Sequence, residues 1–246
     1  MKKNIERTDQ MKLRRINRGI ALGCVLIIAL TGYVIVDTFR FAKNQNTIES
    51  NVKNFFNTYS QVSTSASNTT QLIENYKNFI NDNMVYEKMG GMNHIIKKSD
   101  FIQSLNSDIS DICDYNPSGY INELSINIQD ISISKYGSSG ACATVDYNMI
   151  IDVVDNPVIL TGYGLNTASY YYPYSEDDHS DEIKGHKRIA VSSCQDIIYL
   201  KLIDNKWEIT GFDYSSGSFG DTKMLNSDNS SSQSDSESKD GDSSER

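Results

Sequence analysis

The chain has 246 residues, of which 38% are hydrophobic, and a formal net charge of −9. This length accommodates one domain of ordinary size together with accessory segments. Residues 1–18 carry seven Lys and Arg against two acids, whereas residues 226–246 carry six acids against two cations. Because the basic end is local, the charge pattern argues against direct nucleic-acid binding by the main body.

The first element in chain order is residues 19–36, a run of 18 residues without a charge. As a helix the run would measure about 27 Å, close to the ~30 Å thickness of the hydrocarbon layer. It is longer than the core of a signal peptide and ends without a good cleavage pattern. Cys24 follows Ala-Leu-Gly, as a lipidated cysteine would, but it lies only six residues after Arg18 and twelve apolar or small residues follow it. We therefore predict an uncleaved transmembrane helix.

The flanks of this helix predict its orientation. Basic residues crowd the amino-terminal side, where Arg14, Arg15 and Arg18 lie, while Asp37 opens the other side. The positive-inside rule then places residues 1–18 in the cytoplasm and the chain after about residue 37 outside a cell membrane that it crosses once. Residues 19–36 would contact lipid.

Gly19 and Gly23 form a G-x-x-x-G pair inside the predicted span. Such a pair lets two membrane helices approach closely and is a candidate for homo-oligomer packing. The alternative is that small residues occur at this spacing by chance.

Three amphipathic helices are predicted, and the first is expected to continue from the membrane segment through a short juncture at residues 37–44. Apolar residues at intervals of three and four mark the first helix over about 45–62, and Asn68 or Thr69 is available to cap the second. Ser99 is available to cap the third. The apolar faces consist of Ile48, Val52, Phe55, Phe56, Tyr59 and Val62, then Leu72, Ile73, Tyr76, Phe79 and Ile80, and then Phe101, Ile102, Leu105, Ile109 and Ile112.

After residues 116–119 the apolar period changes to that of strands. Leu124, Ile126 and Ile128 alternate in one phase, and Ile131 and Ile133 in the other, so a bulge at Gln129 or Asp130 is expected. A second, half-buried strand carries Val145, Tyr147, Met149, Ile151 and Val153. A third runs from 189 to 203 and turns at Asp204-Asn205 into a terminal hairpin strand.

Two segments do not fit this regular pattern. Residues 155–188 form a long insertion, in which Val158 to Tyr163 is a possible short strand. It contains a tyrosine cluster that is a candidate partner interface or, equally, packs on its own domain: Tyr170, Tyr171, Tyr172 and Tyr174. Residues 216–246 are predicted to be a disordered tail, since the last 21 residues hold nine serines and six acids.

Motifs for chemistry are weak. His94 has no acid partner nearby in the sequence, and a solvent-facing or capping role is expected for it. His179 and His186 lie in an acidic stretch that either forms a solvated loop or holds a cation, but it lacks metal-site spacing. Phosphate-binding and nucleophile motifs are absent from the sequence. We predict no catalytic residue, metal or cofactor, and we expect Cys142 and Cys194 to be separate thiols unless neighbouring strands pair them.

Three helices followed by bent strands, ending in "IIYLKLIDNKWEITGFDY", resemble the cone-shaped nuclear-transport-factor-2-like fold. The resemblance covers residues 45–215 and implies an α+β class, with three helices packed on a curved antiparallel sheet. It also implies that the last strand lies centrally in that sheet.

Together with the basic segment and the span, this domain resembles the bitopic assembly proteins of type IV secretion and conjugation, including the TcpC family of Gram-positive bacteria. Those proteins commonly carry two such domains, whereas this chain has room for one. The resemblance implies a non-enzymatic scaffold whose partners are other envelope or secretion-channel proteins. A different envelope process, such as sporulation, is a variant of the same hypothesis. The alternative is a small-ligand-binding module or enzyme that uses the cone cavity, with Tyr59, Tyr76 or Tyr147 as polar contacts.

Overall fold

The computed structural model describes residues 2–85, 88–89, 96–111, 116–137, 139–162, 164–173, 183–214 and 221–225. Its helices are α1 (Lys2–Thr64), α2 (Thr69–Asn83) and α3 (Lys98–Asp111), with a 3-10 turn at Ala168–Tyr171. Its strands are β1 (Lys88–Met89), β2 (Ile96–Lys97), β3 (Tyr120–Tyr136), β4 (Gly140–Val154), β5 (Val158–Thr161), β6 (Gly164–Thr167), β7 (His186–Ile203), β8 (Lys206–Tyr214) and β9 (Thr222–Leu225). The α+β class predicted from the sequence is confirmed.

The first helix is continuous for 63 residues. Its apolar part is long and apolar enough to cross a membrane, and the side chains of that part are exposed. Residues 37–44, the juncture through which the helix was expected to continue from the apolar segment, are helical, because the sequence from 33 to 64 contains neither Gly nor Pro to interrupt the helix. From Ile48 onward one face of the same helix is buried in the core.

The second and third helices begin differently from each other. Asn68 caps α2, its side chain accepting a hydrogen bond of 2.8 Å from the amide of Gln71. Ser99 does not cap α3, because the helix already begins at Lys98 and the Ser99 hydroxyl donates to the Asp100 carboxylate instead. The predicted apolar face of α2 is buried throughout, and in α3 it includes the buried Phe101 and Leu105, whereas the side chains of Ile109 and Ile112 lie outside the described part.

The main sheet is antiparallel, with the order β3-β4-β7-β8, and β9 also pairs with β7. Its inner face packs on the helices, and the alternation predicted for β4 is confirmed, since five residues are all buried: Val145, Tyr147, Met149, Ile151 and Val153. The strand predicted near Val158 is β5, which pairs with β6 as a separate hairpin. The two-residue turn between β7 and β8 is confirmed, and Asp204 and Asn205 both have positive φ, as a type I′ turn requires.

Bulges bend the long strands of this sheet. The predicted bulge is confirmed at Gln129, which has no partner between the pairs Ile128↔Tyr147 and Asp130↔Asp146. Further register shifts interrupt β3, the pairing of β4 with β7, and the pairing of β7 with β8. Since each extra residue increases local twist and bends the strand, the sheet curves around its helices.

The position expected for the last hairpin strand is wrong: β8 ends the sheet order, and β4 and β7 are central. The reason is the tight turn, which forces β8 to pair with β7 while the other edge of β7 is already occupied by β4. Two contacts shield part of the β8 edge. The Val85 amide donates to the Ile209 carbonyl at 3.2 Å, and the Asn51 side chain donates to the Trp207 carbonyl at 2.7 Å.

The predicted start of the disordered tail at residue 216 is too early. Thr222–Leu225 forms β9, which pairs with residues 188–191 of β7, and Met224 packs against the core. Only the last 21 residues have the serine-rich and acidic composition of a disordered segment, and Met224 and Leu225 lie just before them. Residues 226–246 lie outside the described residues.

Candidate ligand-binding cavity

A cavity of about 50 Å³ lies between α1, the inner face of the sheet and the β5–β6 hairpin. On the same measure one water needs about 10–15 Å³, so the cavity accommodates a few waters or one small chemical group. Phe55, Phe56 and Tyr59 line it from the helix, and Tyr147 and Asp196 line it from adjacent strands. At ~1.5 Å per residue, Tyr59 lies about 33 Å along α1 from Asp37, so the cavity is remote from the apolar span.

Asp196 enters the cavity because of strand alternation. It pairs with Val145 in the β4–β7 register and shares the inner face of β7 with Cys194, Ile198 and Leu200, which are all buried. The Tyr147 hydroxyl donates a hydrogen bond of 3.0 Å to Asp196 Oδ2. A carboxyl group and a phenol are therefore hydrogen-bonded to each other in a cavity lining that is otherwise mostly apolar.

Burial raises the pKa of Asp196 from 3.8 to about 7. The hydrogen bond from Tyr147 acts in the opposite direction and lowers this pKa, while the negative charge of Asp213 raises it. Desolvation is the largest of the three causes, because a carboxylate in an apolar wall loses its hydration. Near neutral pH the carboxyl group of Asp196 therefore exists in both its protonated and its ionised form.

Of the three tyrosines named as polar contacts, Tyr59 and Tyr147 line the cavity and Tyr76 does not. The Tyr59 hydroxyl donates to the Leu160 carbonyl at 2.8 Å, and its ring stacks on Tyr76 with ring centroids 6.1 Å apart. Burial raises the pKa values of all three phenols, most directly by desolvation. Each phenol stays protonated at neutral pH. Tyr59 and Tyr147 each donate a hydrogen bond, whereas the Tyr76 hydroxyl is buried without a partner among the described residues.

Cys194 also lines the cavity, where burial and then the Asp196 charge raise the pKa of its thiol to about 12. The thiolate, which is the nucleophilic form, is therefore scarce at neutral pH. Cys142 stands opposite Tyr199, whereas Cys194 stands opposite Tyr147, so the two cysteines lie in distant rows and on opposite faces of the sheet. Both are free thiols, as the favoured sequence interpretation expected.

Two members of the tyrosine cluster line this cavity. Tyr170 and Tyr171 contribute to its lining, and their rings pack edge-on with centroids 5.3 Å apart. Tyr171 and Tyr172 pack against the core, whereas Tyr170 is 42% exposed. Tyr174 lies outside the described residues. An interface role for the cluster stays a prediction.

The remaining candidate residues do not line the cavity. The His186 ring contacts the Asp152 carboxylate across the β4–β7 pair, while His94 and His179 lie outside the described part. Within the described ranges, no group of three His, Cys, Asp or Glu side chains is placed to hold a metal. A Cβ added at Gly19 or Gly23 would meet nothing within 4 Å, so this helix face carries no contact in the single chain.

Sequence reasoning missed Asp196, although a signal for it exists. In "SCQDIIYLKL" the residues 194, 196, 198 and 200 alternate with 195, 197 and 199, and three of the first set are apolar or small. An acid in the inward phase of a buried strand is unusual, because a buried carboxyl group loses hydration. The sequence alone does not show which of the two alternating sets of β7 side chains faces the core, so Asp196 was not identified as a candidate.

No protein-family model matches the chain, and no similar curated protein was found. Among solved structures, a hexachlorocyclohexane dehydrochlorinase is 6% identical, with a TM-score of 0.38, covering 76% of this chain and 94% of its own. A nuclear transport factor 2-like superfamily protein from Salmonella enterica is 11% identical, with a TM-score of 0.34, covering 69% of this chain and 91% of its own. At these TM-scores the likenesses carry no argument about this chain's chemistry.

Proposed function

We propose that this chain is anchored in a membrane by residues 19–36 and that its outer domain binds a small ligand in the cavity. The observation that carries the proposal is the hydrogen-bonded pair of Tyr147 and Asp196, the polar feature of a mostly apolar cavity. Ligand sites combine an apolar lining with a few convergent polar groups, and perturbed pKa values concentrate in such places. Asp196 is one of the polar groups in the apolar lining, and its pKa is raised from its ordinary value.

The chemistry of the pair defines the class of ligand. When protonated, Asp196 donates a hydrogen bond to a carbonyl or ether oxygen, and when ionised it accepts one from a hydroxyl group. The surrounding rings of Phe55, Phe56 and Phe212 favour an apolar remainder. The ligand is therefore a very small molecule, of the volume of a few waters, with a short apolar part and one hydrogen-bonding group, such as a short-chain alcohol or ketone.

The test uses the full chain in detergent micelles with a panel of short-chain alcohols and ketones. Binding is measured as the increase in the unfolding temperature and as ligand signal changes in NMR. We expect Asp196→Asn or Tyr147→Phe to weaken binding by roughly tenfold, since each removes one hydrogen bond to a charged group worth about 1.5–3 kcal/mol. Asp130→Asn is the matched control, because Asp130 is exposed on β3 and does not line the cavity. Equal binding by all variants would contradict the proposal.

A second candidate is the scaffold of an envelope complex, of the conjugation or type IV secretion kind that the TcpC resemblance implies. The observation that favours it is the free edge of β3, a strand of 17 residues that ends the sheet order. Within the described residues no strand pairs with this edge, and an open strand edge offers a row of hydrogen-bonding groups to a partner chain. A nuclear-transport-factor-2-like domain held above the membrane would present such an edge to its neighbours.

The scaffold is tested in membranes of the native cell with a photoreactive residue at Asn127 of β3. We expect crosslinks to another envelope protein or to a second copy of this chain, and co-purification of that partner. Asn148, exposed on the outer face of central β4, is the matched control position. A crosslink pattern identical at both positions would contradict use of this edge.

A further inference from the structure

A groove lies where α1 leaves the apolar span, between that helix and the turns that join β3 to β4 and β7 to β8. Its volume is about 300 Å³, which is at the lower end of the ~300–1,000 Å³ range of ligand pockets. The helix contributes residues from Tyr33 to Asn44, and the sheet contributes Lys135 and Trp207 among others. The end of the span and the base of the domain therefore form this groove together.

The level of the groove relative to a bilayer follows from helix geometry. Arg40 lies four residues beyond Val36, the last residue of the apolar run, and so about 6 Å further along the axis. The polar headgroup layer occupies roughly 5–7 Å on each side of the hydrocarbon. Tyr33 lies one turn before the end of the run, where aromatic rings commonly meet the membrane surface. The groove is thus at headgroup level.

The charges in the groove favour an anion. Lys135 forms an ion pair with Asp37, which joins the β3–β4 hairpin to the helix. Arg40 is exposed and makes no ion pair among the described residues. Two cations against one acid leave a local charge of about +1 in a chain whose formal net charge is −9. A guanidinium group matches phosphate oxygens in a bidentate geometry.

Trp207 provides an observation that is independent of the charges. It is 8% exposed, and its indole Nε1–H is buried without an acceptor in the described part of the chain. Phe41 packs edge-on against its ring, with centroids 6.4 Å apart. A buried donor without a partner is destabilising. Because this nitrogen is shielded from solvent, it is the ring of Trp207 and not its N–H that lines the groove.

We propose that this groove binds the phosphate headgroup of an anionic phospholipid in the leaflet on the domain's side of the membrane. Arg40 and Lys135 supply the attraction, and Trp207 lies at the sheet side of the site. The inference rests on the membrane anchor proposed above. A zwitterionic lipid carries the same phosphate together with an ammonium group, so its net attraction to the groove is weaker.

The experiment uses the full chain in phosphatidylcholine nanodiscs with increasing fractions of phosphatidylglycerol. Trp207 is the only tryptophan, so its fluorescence reports on the groove directly. We expect the emission to shift and saturate with phosphatidylglycerol and to stay constant in phosphatidylcholine alone. Native mass spectrometry then checks that phosphatidylglycerol remains bound to the released chain.

Three single-charge variants separate a site from diffuse attraction. Arg40→Gln should require about fivefold more phosphatidylglycerol for half of the response, the typical contribution of one cation near an anionic surface. Asp37→Asn releases Lys135 from its ion pair and should require less phosphatidylglycerol for half of the response. Lys43→Gln removes an exposed cation of the same helix that does not line the groove, and its response should be unchanged.

Equal effects of Arg40→Gln and Lys43→Gln, or no fluorescence response to phosphatidylglycerol, would overturn the inference. These outcomes differ from failure of the anchor. A chain that does not enter the nanodiscs overturns the membrane anchor and this inference together, whereas a chain that inserts but does not respond overturns this inference alone.

Discussion

The hydroxyl of Tyr147 on β4 donates a hydrogen bond of 3.0 Å to the carboxyl group of Asp196 on β7. The two residues are not direct cross-strand partners, since Tyr147 stands opposite Cys194 and Asp196 opposite Val145. Their contact is diagonal on the inner face of the sheet, where diagonal neighbours lie within reach of long aromatic side chains. Proton binding at this pair is therefore coupled to the folding of the two central strands.

Asp196→Asn should remove a pH dependence of stability. The folded pKa is raised from 3.8 to about 7, so between these values the unfolded chain loses its proton while the folded chain keeps it. The free energy of unfolding of the native chain therefore falls as pH rises from about 4 to about 7, by about 4 kcal/mol at most. Asparagine has no proton to lose, and the variant should be the more stable protein at pH 8.

Chemical denaturation of the full chain in detergent micelles at a series of pH values measures this effect. Asp146→Asn on the outer face serves as the control and should keep the native slope. Parallel curves for the native chain and Asp196→Asn would show that Asp196 does not titrate in this range.

Tyr147→Phe should raise the pKa of Asp196 above its native value of about 7. The phenol stabilises the ionised carboxylate by donating to it, and without that donor only burial and the Asp213 charge remain. The titration is followed by NMR of the ¹³C-labelled Asp carboxyl groups. Tyr59→Phe loses a bond to the Leu160 carbonyl instead and should leave the Asp196 titration nearly unchanged. A lower pKa in Tyr147→Phe would contradict the assigned role of the phenol.

Gly119→Ala should destabilise the domain by about 1–3 kcal/mol, as forced overpacking typically does. A Cβ at this position would stand 2.5 Å from the Asp155 carbonyl oxygen and 2.9 Å from the Pro157 nitrogen, both of them backbone atoms. Backbone cannot rotate away as a flexible side chain can. Thermal unfolding measures the loss, with Ser125→Ala on an exposed position of β3 as control. Equal unfolding temperatures for the two variants would be inconsistent with this close approach.

Asn205→Ala should lower the free energy of unfolding, measured by chemical denaturation, by about 1 kcal/mol. Asn205→Gly should leave it unchanged or raise it slightly. Asn205 has φ of +64°, a left-handed conformation that alanine adopts at a cost and glycine adopts freely. The comparison of the two variants isolates the backbone effect, because both lose the same side-chain amide. Equal stability of the two would mean that the turn relaxes to another type.

Local patterns in the sequence predicted the elements whose formation depends on neighbours in the chain. Periodicity identified the buried face that begins at Ile48, and the Asp204-Asn205 pair identified the β7–β8 hairpin. The edge position of β8 and the strand β9 depend on which distant strands pair with β7, and alternation within a strand carries no information about its partner. Asp196 was missed as a cavity residue for the same reason, since Asp196 and Tyr147 come together only through the β4–β7 register.

Because α1 is continuous, it fixes both the distance between its apolar segment and the folded domain and the direction in which each side of that segment faces. In an ideal helix each residue turns by 100°, so Gly19 and Gly23 point within about 20° of Ile48, one on either side. The glycine face of the apolar segment is therefore on the side that carries the body of the folded domain. Two copies that joined through these glycines would bring their domains together above the membrane. The bulk of the two domains would then limit how closely the two helices approach. A partner helix that carries no domain on that side would not meet this steric limit.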